Sequence, residues 1–308
     1  MTTVLYTHKS SLEHDTSPGH PERIARIETV YKALSGVSYE KLLRKEAPRA
    51  TEEELALIHD PAYVKLVLEN IPDEGYARLD ADTIMSPGSG EAALRAAGAI
   101  IAAVDDVVAG RASNAFCAVR PPGHNAEPRR GMGFCLFNNV AIGAKHARAA
   151  HGLQRVAIVD FDVHHGNGTQ AAFYTDADTL FASTHQFPHY PGTGAASETG
   201  VGNVFNAPLE ANSGGAAFRA AMEGRILPAL RAFKPEIVFV SAGFDAHARD
   251  PLASLRFEEE DFEWATRQLL DVAAEFSGGR LVSTLEGGYD LEALGNSAQA
   301  HVAALMAA

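Results

Sequence analysis

Two stretches of this 308-residue chain, VAIVDF at 156–161 and IVFVSAG at 237–243, are apolar almost throughout rather than at alternate positions. A strand with one wet face alternates. A strand apolar on both faces must be covered on both, as in a parallel sheet between helical layers. Further strands are expected at Thr3–Thr7, Asn114–Val119, Thr179–Ser183 and Arg280–Thr284, with the two runs above extended to Arg155–Phe161 and Glu236–Ser241. Alanine-rich helical stretches lie between them, at Ser89–Ala109, Asn138–His151, Gly215–Phe233 and Glu258–Phe276; Glu258, Glu259 and Glu260 suit the positive end of the last. Alternating strands and helices predict a doubly wound α/β architecture. No internal repeat, low-complexity linker or charge block divides the chain, so residues 1–308 are expected to form a single domain.

Composition removes several classes of function. Twenty-six Lys and Arg against 39 Asp and Glu give a formal charge of −13. That balance argues against a general nucleic-acid binder, which needs a basic footprint, but leaves room for an acidic mouth that attracts cations. With 46% hydrophobic residues a sizeable core is available. No run reaches 18 uncharged apolar residues, so no membrane partner is expected. The opening MTTVLYTHKS lacks an apolar signal core. Cys117 and Cys135 offer neither a disulfide framework nor a Cys-x-x-Cys zinc pattern. These features predict a cytoplasmic enzyme; its oligomeric state stays open.

In such folds functional groups gather beyond the carboxyl ends of the strands. Four strand ends here run into polar, glycine-framed segments: RPPGHN at 120–125, DVHHGNG at 162–168, AGFDAH at 242–247 and LEGGYD at 285–290. Asp160, Asp162 and His164 are spaced by two, so an extended chain would place all three on one face. Two carboxylates beside an imidazole are costly to bury without a compensating cation. Asp162, His164 and Asp245 would balance a divalent ion and leave the open position a catalytic metal needs. Zinc is the default, and an Asp₂His set would also accept Fe²⁺ or Mn²⁺.

The segments RPPGHNA, GMGFCLFNN, DFDVHHGNGTQ, PGTG, SAGFDAHARDPL and LEGGYDL, in that order, resemble the zinc-dependent histone deacetylase superfamily, which includes bacterial amidohydrolases, acetylpolyamine amidohydrolases and acetoin-utilisation proteins. The resemblance runs from HPER near His20 to Tyr289, and its class II branch fits best. It implies an arginase-like three-layer α/β/α sandwich around a mostly parallel eight-stranded sheet. It implies Asp162, His164 and Asp245 as zinc ligands, Asp160 oriented toward His124, and Asn167 as hydrogen-bonding partner of position 125. Carbonyls of Asp160, Asp162 and His164, with Ser183 and Thr184, correspond to a structural potassium site, and a second monovalent site falls near Phe173 and Asp176. Gly133, Phe134 and Tyr190 match the walls of an acyl-lysine channel, with Tyr190 where phenylalanine is more usual. Tyr289, after two glycines, matches the phenol that steadies the oxyanion. Asp82 aligns with a rim residue that hydrogen-bonds substrate backbone, although a solvated loop aspartate reads the same way. Leu252 stands where polyamine-selective relatives carry an acidic residue. His165 is expected to point away from His164, and His185, His189 and His247 receive no role.

One position departs from the pattern. The family motif RPPGHHA reads RPPGHNA here, with Asn125 in place of the second histidine, the residue credited with proton transfer. A carboxamide does not titrate near neutrality, and loss of general acid–base help typically costs ~10²–10⁴-fold. The otherwise intact set favours an engineered or recently changed residue over a long-decayed pseudoenzyme. The expected activity is hydrolysis of acyl-lysine in a peptide or protein, or of a small acylated amine. The alternative is a module that binds such amines without cleaving them. An arginase-like reaction is disfavoured, because it needs a two-manganese cluster and more ligands.

Overall fold

A computed structural model describes residues 2–308. Its ten strands are β1 (Thr3–Thr7), β2 (Leu43–Glu46), β3 (Ala77–Arg78), β4 (Ile84–Met85), β5 (Asn114–Cys117), β6 (Val156–Asp160), β7 (Thr179–Gln186), β8 (Val204–Leu209), β9 (Ile237–Ala242) and β10 (Leu281–Leu285). β3 and β4 form a small antiparallel pair. The other eight make one sheet in the order β2-β1-β5-β10-β9-β6-β7-β8, every pairing parallel. The helices are α1 (Ile24–Ala33), α2 (Glu52–Leu55), α3 (Pro61–Glu69), α4 (Ser89–Val108), α5 (Asn139–His151), α6 (Asn167–Phe173), α7 (Gly215–Ala221), α8 (Leu227–Phe233), α9 (Glu259–Phe276) and α10 (Leu291–Ala307).

The doubly apolar runs behave as their composition requires. On β6, Ala157 and Val159 enter one core with residues of α1, α9 and α10, while Val156 and Ile158 enter the opposite core with α4 and α5. The result is an α/β/α sandwich. β2 and β8 were not foreseen. β2 reads LRKE and is mostly exposed at one sheet edge, and β8 carries Asn206 and Pro208, which argue against a strand but are tolerated at an edge. The helix expected over Gly215–Phe233 is interrupted by a π segment at Met222–Ile226, with Pro228 opening α8.

Strand order is what assembles a site. The four polar strand ends belong to β5, β10, β9 and β6, which are consecutive neighbours in the sheet although far apart in sequence. Cys117, Thr284, Ser241 and Asp160 form one cross-sheet row. The segments after them therefore leave the sheet at the same level. Asn138 caps α5 by accepting from Ala141 N–H, and its amide donates to the carbonyls of Ala126 and His124 (3.2 and 3.4 Å), holding the β5 loop.

Candidate active site

The β6 end builds itself from carboxylates that fold the following backbone. Asp160 Oδ1 accepts from the N–H of Asp162 (3.1 Å), and Asp162 Oδ1 accepts from the N–H of His164 (2.9 Å). The strand stops at Asp160. The expectation of an extended chain presenting three side chains on one face is thus corrected: successive carboxylate-to-backbone turns bring them together. Asp245 Oδ1 accepts from Val163 N–H (2.8 Å), and Asp162 Oδ2 from Gly287 N–H (2.8 Å). His164 Nδ1 lies 3.1 Å from Asp162 Oδ1 and 3.2 Å from Asp245 Oδ2.

These three ligand-type atoms converge with two features suited to an ion. Asp245 Oδ2 is buried with no hydrogen-bond partner among the described residues. Gly243 and Gly287 are packed so closely that a Cβ at either would collide with the carboxylates of Asp162 or Asp245. The electrostatics agree. Burial alone would lower the His164 pKa, yet Asp162 and Asp245 push it up to about 10, a measure of the negative field. The donor set therefore fits a divalent cation of the zinc type.

His124 and Asn125 close the next side. His124 Nδ1 is 2.9 Å from Asp160 Oδ2. Burial opposes its charged form, but Asp162 and Asp160 hold it well above the ordinary histidine range. Asn125 donates both amide protons away from the centre, to His165 O and to Asn167 Oδ1, each at 2.9 Å. Asn167 is fixed in turn by donating to Glu127 Oε1 (2.7 Å). Tyr289 sits opposite, 7% exposed, its phenol pKa driven well up by burial. The Arg26 guanidinium lies 4.8 Å from its ring centroid.

A narrow cavity of about 70 Å³ leads to this centre, and Asp82, His124, Asn125, Gly133, Phe134, His164, Tyr190, Leu252 and Tyr289 all line it. Phe134 meets Tyr289 edge-on at 5.9 Å, and Tyr190 meets His164 edge-on at 6.0 Å. Phe134 has a positive φ of 69°, pinned where its N–H donates to Thr83 Oγ1 (3.1 Å). Asp82 is half-buried at the rim beside Asp80, whose carboxylate caps the turn by accepting from the N–H of Asp82 and Thr83.

Other expected residues are placed elsewhere. His165 points away, bonded to Thr193 and Gln170. His185 and His247, given no role, are buried. Ser183 Oγ is 2.9 Å from His185 Nδ1, and Thr184 Oγ1 is buried without a partner among the described residues. Near Phe173 and Asp176, the carbonyls of Phe173, Asp176 and Thr179 all accept from the Asn203 amide, at 2.8, 3.0 and 2.8 Å. That seat, expected to suit a second monovalent ion, is filled by the chain's own nitrogen, with Lys145 and Arg148 bonded to Asp176 beside it.

Sequence reasoning missed four supporting groups. His189 stacks on His164 with ring centroids 5.3 Å apart and donates from Nε2 to Leu252 O (3.1 Å). Asp250 accepts from the N–H of both Tyr289 (2.8 Å) and Leu252 (3.0 Å), tying the tyrosine loop to the rim. Glu286 accepts from the N–H of Gly123 and His124 (2.7 and 3.2 Å). Arg26 donates to the carbonyls of Glu286 and Gly288 (2.6 and 2.5 Å). Asp250 and Glu286 lie inside the segments SAGFDAHARDPL and LEGGYDL, His189 stands two residues before PGTG and Arg26 three after HPER, but none of these positions says which backbone group its side chain meets.

Residues 20–305 match the histone deacetylase domain. The chain belongs to the histone deacetylase family. It is 41% identical over 315 residues to histone deacetylase 10, chloroplastic, of Oryza sativa subsp. japonica, covering 96% of this chain and 71% of that protein. It is 42% identical over 276 residues to the histone deacetylase-like amidohydrolase of Pseudomonas aeruginosa, covering 87% and 71%. The crystal structure of the HDA15 HD domain superposes with a TM-score of 0.93 at 35% identity, covering 99% of this chain and 88% of that one. These matches agree with the α/β sandwich and the parallel sheet. No helix among the described residues is long and apolar enough to cross a membrane.

Proposed function

We propose that residues 1–308 form a single catalytic domain that hydrolyses the amide of acetyl-lysine or of a related linear acylamine. The observation that carries this reading is a narrow cavity, flanked by aromatic rings, that ends on His164 and Tyr289, with the carboxylates of Asp162 and Asp245 gathered around His164 behind it. Asp162, His164 and Asp245 would hold zinc, with Fe²⁺ as the alternative ion. When bound, zinc supplies Lewis-acid polarisation of the acyl carbonyl and acidification of a water.

The chain's own groups do the rest. Phe134 and Tyr190 flank an unbranched stem and exclude water from it, while Gly133 leaves room for the close approach of Asn125. Asp82 accepts from the substrate backbone at the rim, and Leu252 offers an apolar edge. The Tyr289 phenol keeps its proton and donates a hydrogen bond to the carbonyl oxygen as negative charge develops there. His124, held by Asp160, carries a proton and so acts as a cationic donor rather than a base. Asn125 orients a water through its carbonyl oxygen but takes no proton from it. A potassium ion on the carbonyls of Asp160, Asp162 and His164 with Ser183 and Thr184 would stiffen the β6 loop, and the two buried free cysteines suit a reducing cytoplasm.

Asn125 also favours a second reading, an acylamine-binding protein with impaired catalysis. Turnover of a fluorogenic acetyl-lysine peptide at stoichiometric zinc separates the two. Asp245→Ala should lose both the metal and any turnover while remaining folded. Unchanged, tightly bound zinc in that variant, by metal analysis, would rule the ligand assignment out.

A further inference from the structure

The far ends of α4 and α5 bring a second donor cluster together. His146 Nε2 lies 2.7 Å, and His151 Nε2 2.6 Å, from one and the same oxygen, Oδ1 of Asp105. The two rings stand nearly perpendicular, with centroids 5.5 Å apart. α5 starts beside the His124 loop and rises ~1.5 Å per residue, so His151 at its last position is about 18 Å from that end. The cluster is therefore separate from the catalytic corner.

We propose that Asp105, His146 and His151 form a second transition-metal site, which takes Zn²⁺ or a chemically similar ion and staples α4 to α5. Two imidazole nitrogens and one carboxylate oxygen are a zinc donor set that leaves a fourth position for water. The hydrogen-bonded geometry lies close to the ligated one. Zinc–nitrogen and zinc–oxygen bonds of ~2.0–2.1 Å put tetrahedral neighbours ~3.3 Å apart, so each ring withdraws by about 0.6 Å. Half-buried rings, one at a helix terminus, accommodate that. Side-chain exposures of 40% for Asp105, 13% for His146 and 24% for His151 leave a path for an ion while shielding it in part. Neither Nδ1 has a hydrogen-bond partner among the described residues, so each is free to carry the ring proton while Nε2 gives its lone pair to the ion.

A cluster at His247, Glu258 and Glu259 makes the contrast. There His247 Nδ1 accepts from Arg249 N–H (3.1 Å), which fixes the proton on the very nitrogen that faces the carboxylates. With its proton there, Nε2 presents no lone pair to an ion between it and the carboxylates, 3.6 Å away.

The test is zinc stoichiometry. The full chain, dialysed against buffered micromolar zinc chloride, should retain two equivalents by atomic emission. The double variant His146→Asn/His151→Asn should retain one, with peptide turnover unchanged, and Asp245→Ala should retain the other. Cobalt loading should give a visible d–d band that the double variant lacks. Asp105→Asn, the mildest change, should weaken the second equivalent by at least tenfold. Two equivalents in the double variant, or a single wild-type equivalent that only Asp245→Ala removes, overturns the proposal. A single equivalent that only the double variant removes would support it while refuting the metal ligands proposed for catalysis.

Discussion

Two corners of the cavity are built by different rules. At the β6–β9 corner, Asp162 and Asp245 each use an oxygen to accept a backbone N–H, and one oxygen of Asp245 is left over beside His164. Local turns, glycine clearance and excess negative charge all favour one thing, a cation at that point. At the β5 corner everything is already paired. His124 is locked to Asp160, and Asn125 donates both amide protons to His165 and Asn167. The first corner is over-determined for binding, and the second hangs on the identity of one side chain. On the proposed function, a change at position 125 should alter the rate far more than the affinity.

The sharpest way to test that contrast is to restore the missing titratable group. Asn125→His should raise kcat by ~10²–10⁴, the contribution of general acid–base catalysis, with little change in KM. Such a split marks a group needed mainly in the transition state. Equal turnover in steady-state assays of the two forms would mean that another residue moves the proton.

Tyr289 tests the same comparison from the opposite wall. Its phenol is an electrostatic donor whose loss typically costs ~10²–10³ in rate. Tyr289→Phe in the Asn125→His background should lower kcat by that factor. A linear hydroxamate, which relies on the metal corner, should bind within a few-fold of its original affinity by calorimetry. A matched loss of hydroxamate affinity would show that Tyr289 shapes the cavity rather than the transition state.

The legibility of the two corners in the sequence follows the same physics. β6 and β9 are apolar on both faces, and a run of that kind has few alternatives to a central parallel strand. β2 and β8 are edge strands whose charged, Asn and Pro residues carry no such signal. α10 is rich in alanine and small residues and gives weak periodicity, so it too escaped notice. Asp162, His164 and Asp245 announced themselves because acidic and imidazole groups at strand ends are costly without a partner. Asp250, Glu286 and Arg26 act by hydrogen-bonding backbone atoms of distant segments. Nothing in a linear motif says which N–H or C=O a side chain will find, so only strand order revealed them.

The next prediction concerns a histidine outside either corner. His301 is fully buried between Thr266 Oγ1 (2.7 Å) and Ser283 Oγ (2.9 Å), and burial pushes its pKa down to about 3. In the unfolded chain it titrates near the ordinary value of ~6.5. A depressed folded-state pKa means that its neutral form supports stability above pH ~6.5, and that this support is lost as the pH falls toward 3. Between pH 7 and pH 5 the loss from this one group is about 2 kcal/mol. His301→Gln removes the titration, so its urea midpoint should change less over that interval than that of the wild type, whatever its stability at pH 7. Parallel pH profiles for the two proteins would show that His301 contributes nothing to acid sensitivity.

The smallest effect is expected at the rim, where neither corner reaches. Asp82 and Asp80 already make one side of the mouth acidic, and Leu252 on another side is apolar and half-buried, its carbonyl within 3.1 Å of His189 Nε2. Leu252→Glu adds a second carboxylate facing solvent, where an ion pair is worth ~0.2–1 kcal/mol and is screened by salt. The ratio of kcat/KM for an acetylated polyamine to that for a neutral acetyl-lysine peptide should therefore rise by about two- to fivefold at low ionic strength and return toward the wild-type value at ~1 M salt. The gain should appear in KM, because a charge at the mouth attracts the cationic arm equally in ground and transition states. If the ratio moves through kcat instead, the side chain at 252 reaches the reacting centre, and the separation between rim and corners drawn from the geometry is wrong.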